Sequence, residues 1–304
     1  MNRALLLLSA LPLVACAGSK SSGAVPQSFH YAIPGHLIPA GNEHYQCFFV
    51  KADTGGTDAK PRGAMKFSYT PDTNTVHHMV IFTSDNGEAD GSTRNCLAFE
   101  NGWNFRYAGG LATGPLTMPD GVAAPLKPHE TYVIQIHYLN ASTSDVTDHT
   151  SVDVEYTPVD ASYQYAAIAI LGQTGFSIAA DGAPHDIVGT CSIPAGYPTT
   201  HVFGLWPHMH QIGTHFRVDM TLAGVTTTPI DETWNFGDQK LWLYLPPTAQ
   251  MFDVAAGDSI TTTCTYTNNT GAIVHWGESS TQEMCFNFLY YYPAPNGDGS
   301  SCGT

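Results

Sequence analysis

Six residues carry the clearest chemistry in this chain: His77, His78, His137, His208, His210 and Met284. In His208-Met209-His210, positions i and i+2 of a strand point to one face, so the two imidazoles stand side by side with β-carbons about 7 Å apart. Pro207 just before them marks a strand start or edge. Such a pair is a two-ligand clamp, and imidazole suits copper, zinc, iron or nickel. Met284 lies in Gln282-Glu283-Met284-Cys285-Phe286. A methionine ordinarily fills a core, but a thioether beside two imidazoles makes a soft nitrogen–sulfur set that favours copper over zinc, magnesium or calcium. His77-His78-Met79 heads the apolar run Val80-Ile81-Phe82. Neighbours on a regular strand face opposite sides, so both rings reach one metal only if the strand is bent or bulged there. Alternation in Val133-Ile134-Gln135-Ile136-His137-Tyr138 puts Gln135 and His137 on one face, a polar wall for a site or an exposed sheet surface.

Strands must position these residues. Beyond the first residues no long segment has apolar side chains at helical spacing. Glycine (29) and proline (20) punctuate the chain as turns do. Between them lie short runs rich in Val, Ile, Thr, Tyr and Phe: 65–70, 76–83, 131–139, 151–157, 163–171, 201–205, 215–222, 259–267 and 284–292. This is an all-β pattern of the sandwich or barrel kind. Thr157-Pro158-Val159-Asp160 closes one run before the next begins, and divides the chain near residue 160 into halves 29–160 and 161–304, each the size of one sandwich.

Composition narrows the functional classes. Charged residues are 12% of the chain, about half of the roughly 25% usual in a soluble domain. Net charge is −15 with eleven Lys and Arg, so there is no basic footprint for nucleic acid. The acidity is a solvated surface that also concentrates cations. Arg3, the apolar run Ala4 to Val14, and Leu13-Val14-Ala15-Cys16 read as a bacterial lipoprotein signal covering 1–15, with cleavage before Cys16 and acylation of its thiol. The apolar run is shorter than the about 18 residues of a membrane span. Residues 16–28 then form a small, polar tether. The reading is an exported protein, lipid-anchored in the bacterial cell envelope. The remaining six cysteines (Cys47, Cys96, Cys191, Cys264, Cys285 and Cys302) are an even count in an exported chain, which argues for disulfides and leaves their connectivity open.

Taken in order, His77-His78-Met79, Gln135-Ile136-His137-Tyr138, His208-Met209-His210-Gln211-Ile212-Gly213 and Glu283-Met284-Cys285 leading to Tyr290-Tyr291-Tyr292-Pro293 resemble the copper type II, ascorbate-dependent monooxygenases, the family of peptidylglycine hydroxylase and dopamine β-hydroxylase. The resemblance runs from about residue 30 to the end of the chain. It implies two tandem antiparallel, jelly-roll-like β-sandwich domains, each holding one copper, facing each other across a water-filled cleft. His77, His78 and His137 would form an electron-transfer site, and His208, His210 and Met284 an oxygen-binding catalytic site. Gln135 and His275 are candidates to support the ligands. The resemblance also implies the disulfides Cys47–Cys96, Cys191–Cys302 and Cys264–Cys285.

The implied activity is hydroxylation of a small-molecule C–H bond with O2 and a one-electron reductant such as ascorbate, using two coppers per chain. Two departures narrow it. Trp206 stands where peptidylglycine hydroxylase has a substrate-binding Arg, and Phe288 where it has a Tyr, which speaks against a peptidyl-glycine substrate. The alternative is a non-catalytic copper-binding envelope lipoprotein. If the leader is read correctly, Cys16→Ser moves the expressed protein from the membrane to the soluble fraction; unchanged membrane association would show that the anchor is elsewhere.

Overall fold

The computed structural model describes residues 26–57, 60–110, 113–128, 130–294 and 297–302. The leader and Cys16 lie outside these residues. Every regular element among the described residues is a β-strand. The first, Gln27–Ala32, begins inside the stretch read as tether.

Strands up to Tyr165 pair among themselves, and strands from Ala167 onward do the same. In the first half one sheet runs Gln27–Ala32, Ser151–Pro158, Arg62–Thr70, Val122–Leu126, Gln164–Tyr165. The other runs Thr93–Asn95, Glu43–Val50, Thr131–Leu139, Val76–Ser84, Trp103–Gly110. In the second half Trp242–Leu243, Thr200–His208, Cys285–Tyr292, Ala167–Gln173 and Ser300–Cys302 form one sheet. Pro184–Ser192, Ser259–Thr267, Gly213–Leu222 and Val225–Thr233 form its partner. Between the strands of the described residues pairing is antiparallel with two exceptions. Gln164–Tyr165 lies parallel to Val122–Leu126, and Ser300–Cys302 lies parallel to Ala167–Gln173.

Strand parity explains how the halves meet. Ser259–Thr267 alternates buried and half-buried residues, as a strand with one wet face does. Cys285–Tyr292 is buried at every position, so both of its faces are covered. Leu289 and Tyr291 enter the core of the second sandwich, while Phe286, Phe288, Tyr290 and Tyr292 join the core of the first half. Phe288 stacks on Phe105 with ring centroids 4.9 Å apart, and Tyr290 Oη accepts a hydrogen bond from the Ala108 amide at 3.1 Å. The two halves therefore share an aromatic seam instead of facing each other across an open, water-filled gap.

The histidine-bearing strands follow from local irregularities. His137 pairs with His78, but the next residue, Tyr138, pairs with Val76. His77 is thus the extra residue of a β-bulge, the bend that adjacent histidines need to turn toward one point. The Thr200–His208 strand has its own bulge between Val202 and Gly204. Beyond it, Leu205 and Met209 enter the second core, while Trp206 and its i+2 neighbour His208 turn toward the first half.

All three expected disulfides form: Cys47–Cys96, Cys191–Cys302 and Cys264–Cys285. The last ties the Ser259–Thr267 strand to the residue after Met284 across a separation of 21. Replacing both Cys264 and Cys285 by Ala is expected to cost about 3 kcal/mol of stability by chain entropy. If Met284 and the triad each hold a copper, as the resemblance implies, it should also weaken the Met284 copper more than the triad copper, read by denaturant titration and copper analysis; equal losses would show that the disulfide does not serve Met284.

Candidate metal centre

His77, His78 and His137 come together, with one ligand-type atom from each lying within 4.8 Å of the others. The Nδ1 atoms of His77 and His78 are 3.1 Å apart. His78 and His137 are buried, and His77 is partly so. The second pair is adjacent, not remote. The rings of His78 and His208 are 5.2 Å apart, and those of His208 and His210 are 5.2 Å apart. Five imidazoles thus form one continuous cluster. The expected separation of two sites across a cleft is replaced by contact, because parity turns His208 toward the first half.

Each neutral imidazole has one N–H to satisfy and one lone pair to offer. His77 donates from Nε2 to the Phe236 carbonyl at 3.1 Å. His137 donates from Nε2 to Glu43 Oε1 at 2.9 Å. His208 donates from Nδ1 to Gln239 Oε1 at 2.7 Å, and His210 from Nδ1 to the Gln282 carbonyl at 3.0 Å. These acceptors fix the tautomers and aim the opposite nitrogens inward, as metal-bound histidines require. Two of those nitrogens, His137 Nδ1 and His210 Nε2, are buried with no hydrogen-bond partner. An unpartnered buried polar atom costs about 1–3 kcal/mol. Two such atoms within one histidine cluster fit metal binding there.

Met284 is 1% exposed. It lines a cavity of about 20 Å³ together with His78, His208, Gln135, Trp206, Phe288, Phe99 and Phe105. That volume admits about one water-sized molecule. Trp206 is fixed by donation from its indole nitrogen to the Gln239 carbonyl at 3.2 Å, and its ring packs on His208 and Phe288. No charged side chain lines the cavity.

Glu283 holds the two ligand segments together. Its carboxylate accepts from the His210 amide and the Ile212 amide, each at 2.8 Å, so the turn after His208 is clamped to the residue before Met284. Burial pushes its pKa up to about 8, against the pull of these backbone donors. Glu43 spans the halves: besides His137, it accepts from the Ser280 amide at 2.7 Å and the Ser280 hydroxyl at 2.8 Å. Burial raises its pKa, but these donors outweigh that and hold it at about 2.

The other candidates fall differently. Gln135 lines the cavity but spends its amide on the Leu97 carbonyl at 2.7 Å, holding the loop beside the cavity in place. His275 is exposed and bonds the Ser177 hydroxyl at 2.8 Å; only its backbone carbonyl supports the centre, by accepting from the Glu283 amide. Glu43, Phe236, Gln239 and Gln282 were not singled out by sequence. Three of them lie in loops without a motif. Glu43 is legible only once the pairing of its strand with Thr131–Leu139 is known.

Residues 164–304 match the family model described as copper type II ascorbate-dependent monooxygenase, C-terminal domain. Over these residues the chain is similar to this monooxygenase family. Among its relatives are MOXD1 homolog 1 of Drosophila melanogaster, 26% identical over 72% of this chain and 36% of that protein. Tyramine beta-hydroxylase of Caenorhabditis briggsae is 25% identical over 72% of this chain and 40% of that protein. Peptidyl-glycine alpha-amidating monooxygenase of Mus musculus is 24% identical over 86% of this chain and 26% of that protein. The chain thus spans well under half the length of these monooxygenase relatives.

Burial, the largest influence, lowers the pKa of His77 to about 3 and of His210 to about 4, and holds His78 and His208 well below 6.5. The unfolded chain therefore binds more protons than the folded one between about pH 6.5 and 4, so stability falls as pH falls through that window. Glu283, with its raised pKa, opposes this above pH 4.5, but it is one group against four. Metal-free protein should show a falling urea midpoint from pH 7 to pH 5; a flat profile would show that these imidazoles are hydrated.

Proposed function

We propose that this protein is a copper-dependent monooxygenase that hydroxylates a C–H bond of an uncharged, apolar small molecule, using O2 and a one-electron reductant such as ascorbate. The supporting observation is the imidazole cluster, four of whose rings have one nitrogen bonded to an acceptor, with His78 and His208 lining one cavity beside Met284. His77, His78 and His137 would hold one copper, and His208, His210 and Met284 the other. When bound, copper supplies one-electron redox chemistry and activation of dioxygen.

The protein's own part is orientation and exclusion. Phe236, Glu43, Gln239 and Gln282 hold the N–H side of the rings, so each imidazole presents a lone pair without reorganising. The three-imidazole set is all nitrogen, whereas the set with Met284 is softer and favours the reduced metal. Phe99, Phe105, Trp206 and Phe288 keep bulk water from the Met284 side. The absence of charge there, and Trp206 in particular, supports an apolar substrate over a carboxylate-bearing one. A substrate larger than a water molecule must displace part of this aromatic wall. The leader supports action in the envelope, on a lipid tether.

The small cavity also favours a second reading, a copper-binding protein without turnover. Oxygen uptake by copper-loaded protein with ascorbate, scanned over uncharged apolar substrates, separates the two. The monooxygenase reading predicts two coppers per chain and substrate-dependent uptake. Met284→Ile should bring uptake to background while the triad copper stays bound. Absence of uptake across the panel selects the binding protein, and joint loss of both coppers in Met284→Ile would show that the ligand sets are not separable.

A further inference from the structure

We propose that His36 and His44 form an additional metal site, outside the five-histidine cluster, that takes one monovalent copper ion between two imidazole nitrogens. His36 opens the short strand His36–Ile38, and His44 is the second residue of Glu43–Val50. Their Nε2 atoms stand 2.9 Å apart. This nitrogen–nitrogen approach resembles the 3.1 Å between His77 and His78.

The surroundings prepare the pair as ligands. His44 Nδ1 donates to Asn42 Oδ1 at 2.6 Å, which leaves the His44 Nε2 lone pair facing His36. Both rings pack on Tyr138, at centroid distances of 5.1 Å and 5.4 Å. Tyr138 is itself pinned by donation from its hydroxyl to Asp148 Oδ2 at 2.6 Å. The imidazoles therefore rest on a fixed aromatic platform. Both are half-buried, so solvent and metal can reach them. Metal–imidazole bonds of about 2 Å, set opposite each other, require the nitrogens to part to about 4 Å. A small rotation of the two rings supplies that.

Donor count selects the ion. Among the described residues, the group of three or more His, Cys, Asp or Glu donors close enough to share an ion is the His77, His78, His137 triad. His36 and His44 offer two donors. Zinc in a structural site is held by four ligands. Monovalent copper, with a filled d shell, is satisfied by two in a line. The chain's net charge of −15 adds a general attraction for cations. The pair also adjoins the triad: Glu43, next to His44, is the carboxylate that bonds His137.

The test is anaerobic titration with copper(I) against bicinchoninate, using the whole protein. His36→Phe and His44→Phe keep a ring on Tyr138 while removing the nitrogens, so folding is preserved and near-UV circular dichroism checks it. Each variant, and the two combined, should lose one copper equivalent relative to the parent, with no change in a parallel zinc titration. In a protein carrying His77→Ala and His137→Ala, the equivalent that depends on His36 and His44 should persist. Its failure is thus distinct from failure of the triad. An unchanged copper count in the combined variant overturns the site, as does an equal loss of zinc.

Discussion

A buried neutral imidazole that offers one nitrogen's lone pair to a metal must donate the N–H of the other to an acceptor, or leave that N–H unsatisfied. That requirement organises the centre of this molecule. One of the four acceptors comes from the opposite half, Phe236 for His77; Glu43, which serves His137 within the first half, is itself fixed from the second by Ser280. The other two, Gln239 and Gln282, reach His208 and His210 from loops of the same half. The first sandwich alone does not complete the orientation of its own histidines. The aromatic seam is therefore a condition of the site and not only a source of stability, since separating the halves would remove the carbonyl that sets His77.

The same seam sets the chemical character of the cavity. Phe288 packs on Phe105 and Trp206, and Trp206 packs on His208. Apolar contact carries these rings, and one indole hydrogen bond fixes their angle. A charge brought into such a wall would lose its hydration without gaining a partner, at a cost of several kcal/mol. The residues that join the halves thus also restrict what can approach Met284.

Much of this was legible in sequence, and the reasons differ from residue to residue. Alternation in Val133–Tyr138 places Gln135 and His137 together, and both turn inward. Adjacent His77 and His78 demand a bulge, and the register slips where it must. Contact between His78 and His208 was not legible. It depends on the bulge at Val202/Gly204 and on burial of both faces of Cys285–Tyr292, and local pattern reports neither. Phe236, Gln239 and Gln282 are equally silent, because a loop carbonyl or amide acts through position and leaves no spacing to read. His275 shows the converse: it is close to Met284 in sequence, yet its ring leaves toward Ser177.

Met284 poses a different problem from the histidines. A thioether has no N–H to anchor, so no side-chain acceptor can aim it. Its direction must come from the backbone on either side. Glu283 supplies one fixed point, by clamping the amides of His210 and Ile212. Cys285 supplies the other through its disulfide to Cys264, and Tyr266 adds a third by donating to the Met284 carbonyl at 2.7 Å. Cys264 and Tyr266 lie two apart on one strand and share a face, so covalent and hydrogen-bonded supports arrive from the same direction. Flexible methionine is ordinarily a poorly specifying residue. Attachments at three consecutive residues make it a directed one, so the disulfide beside Met284 supplies a constraint that the thioether itself could not.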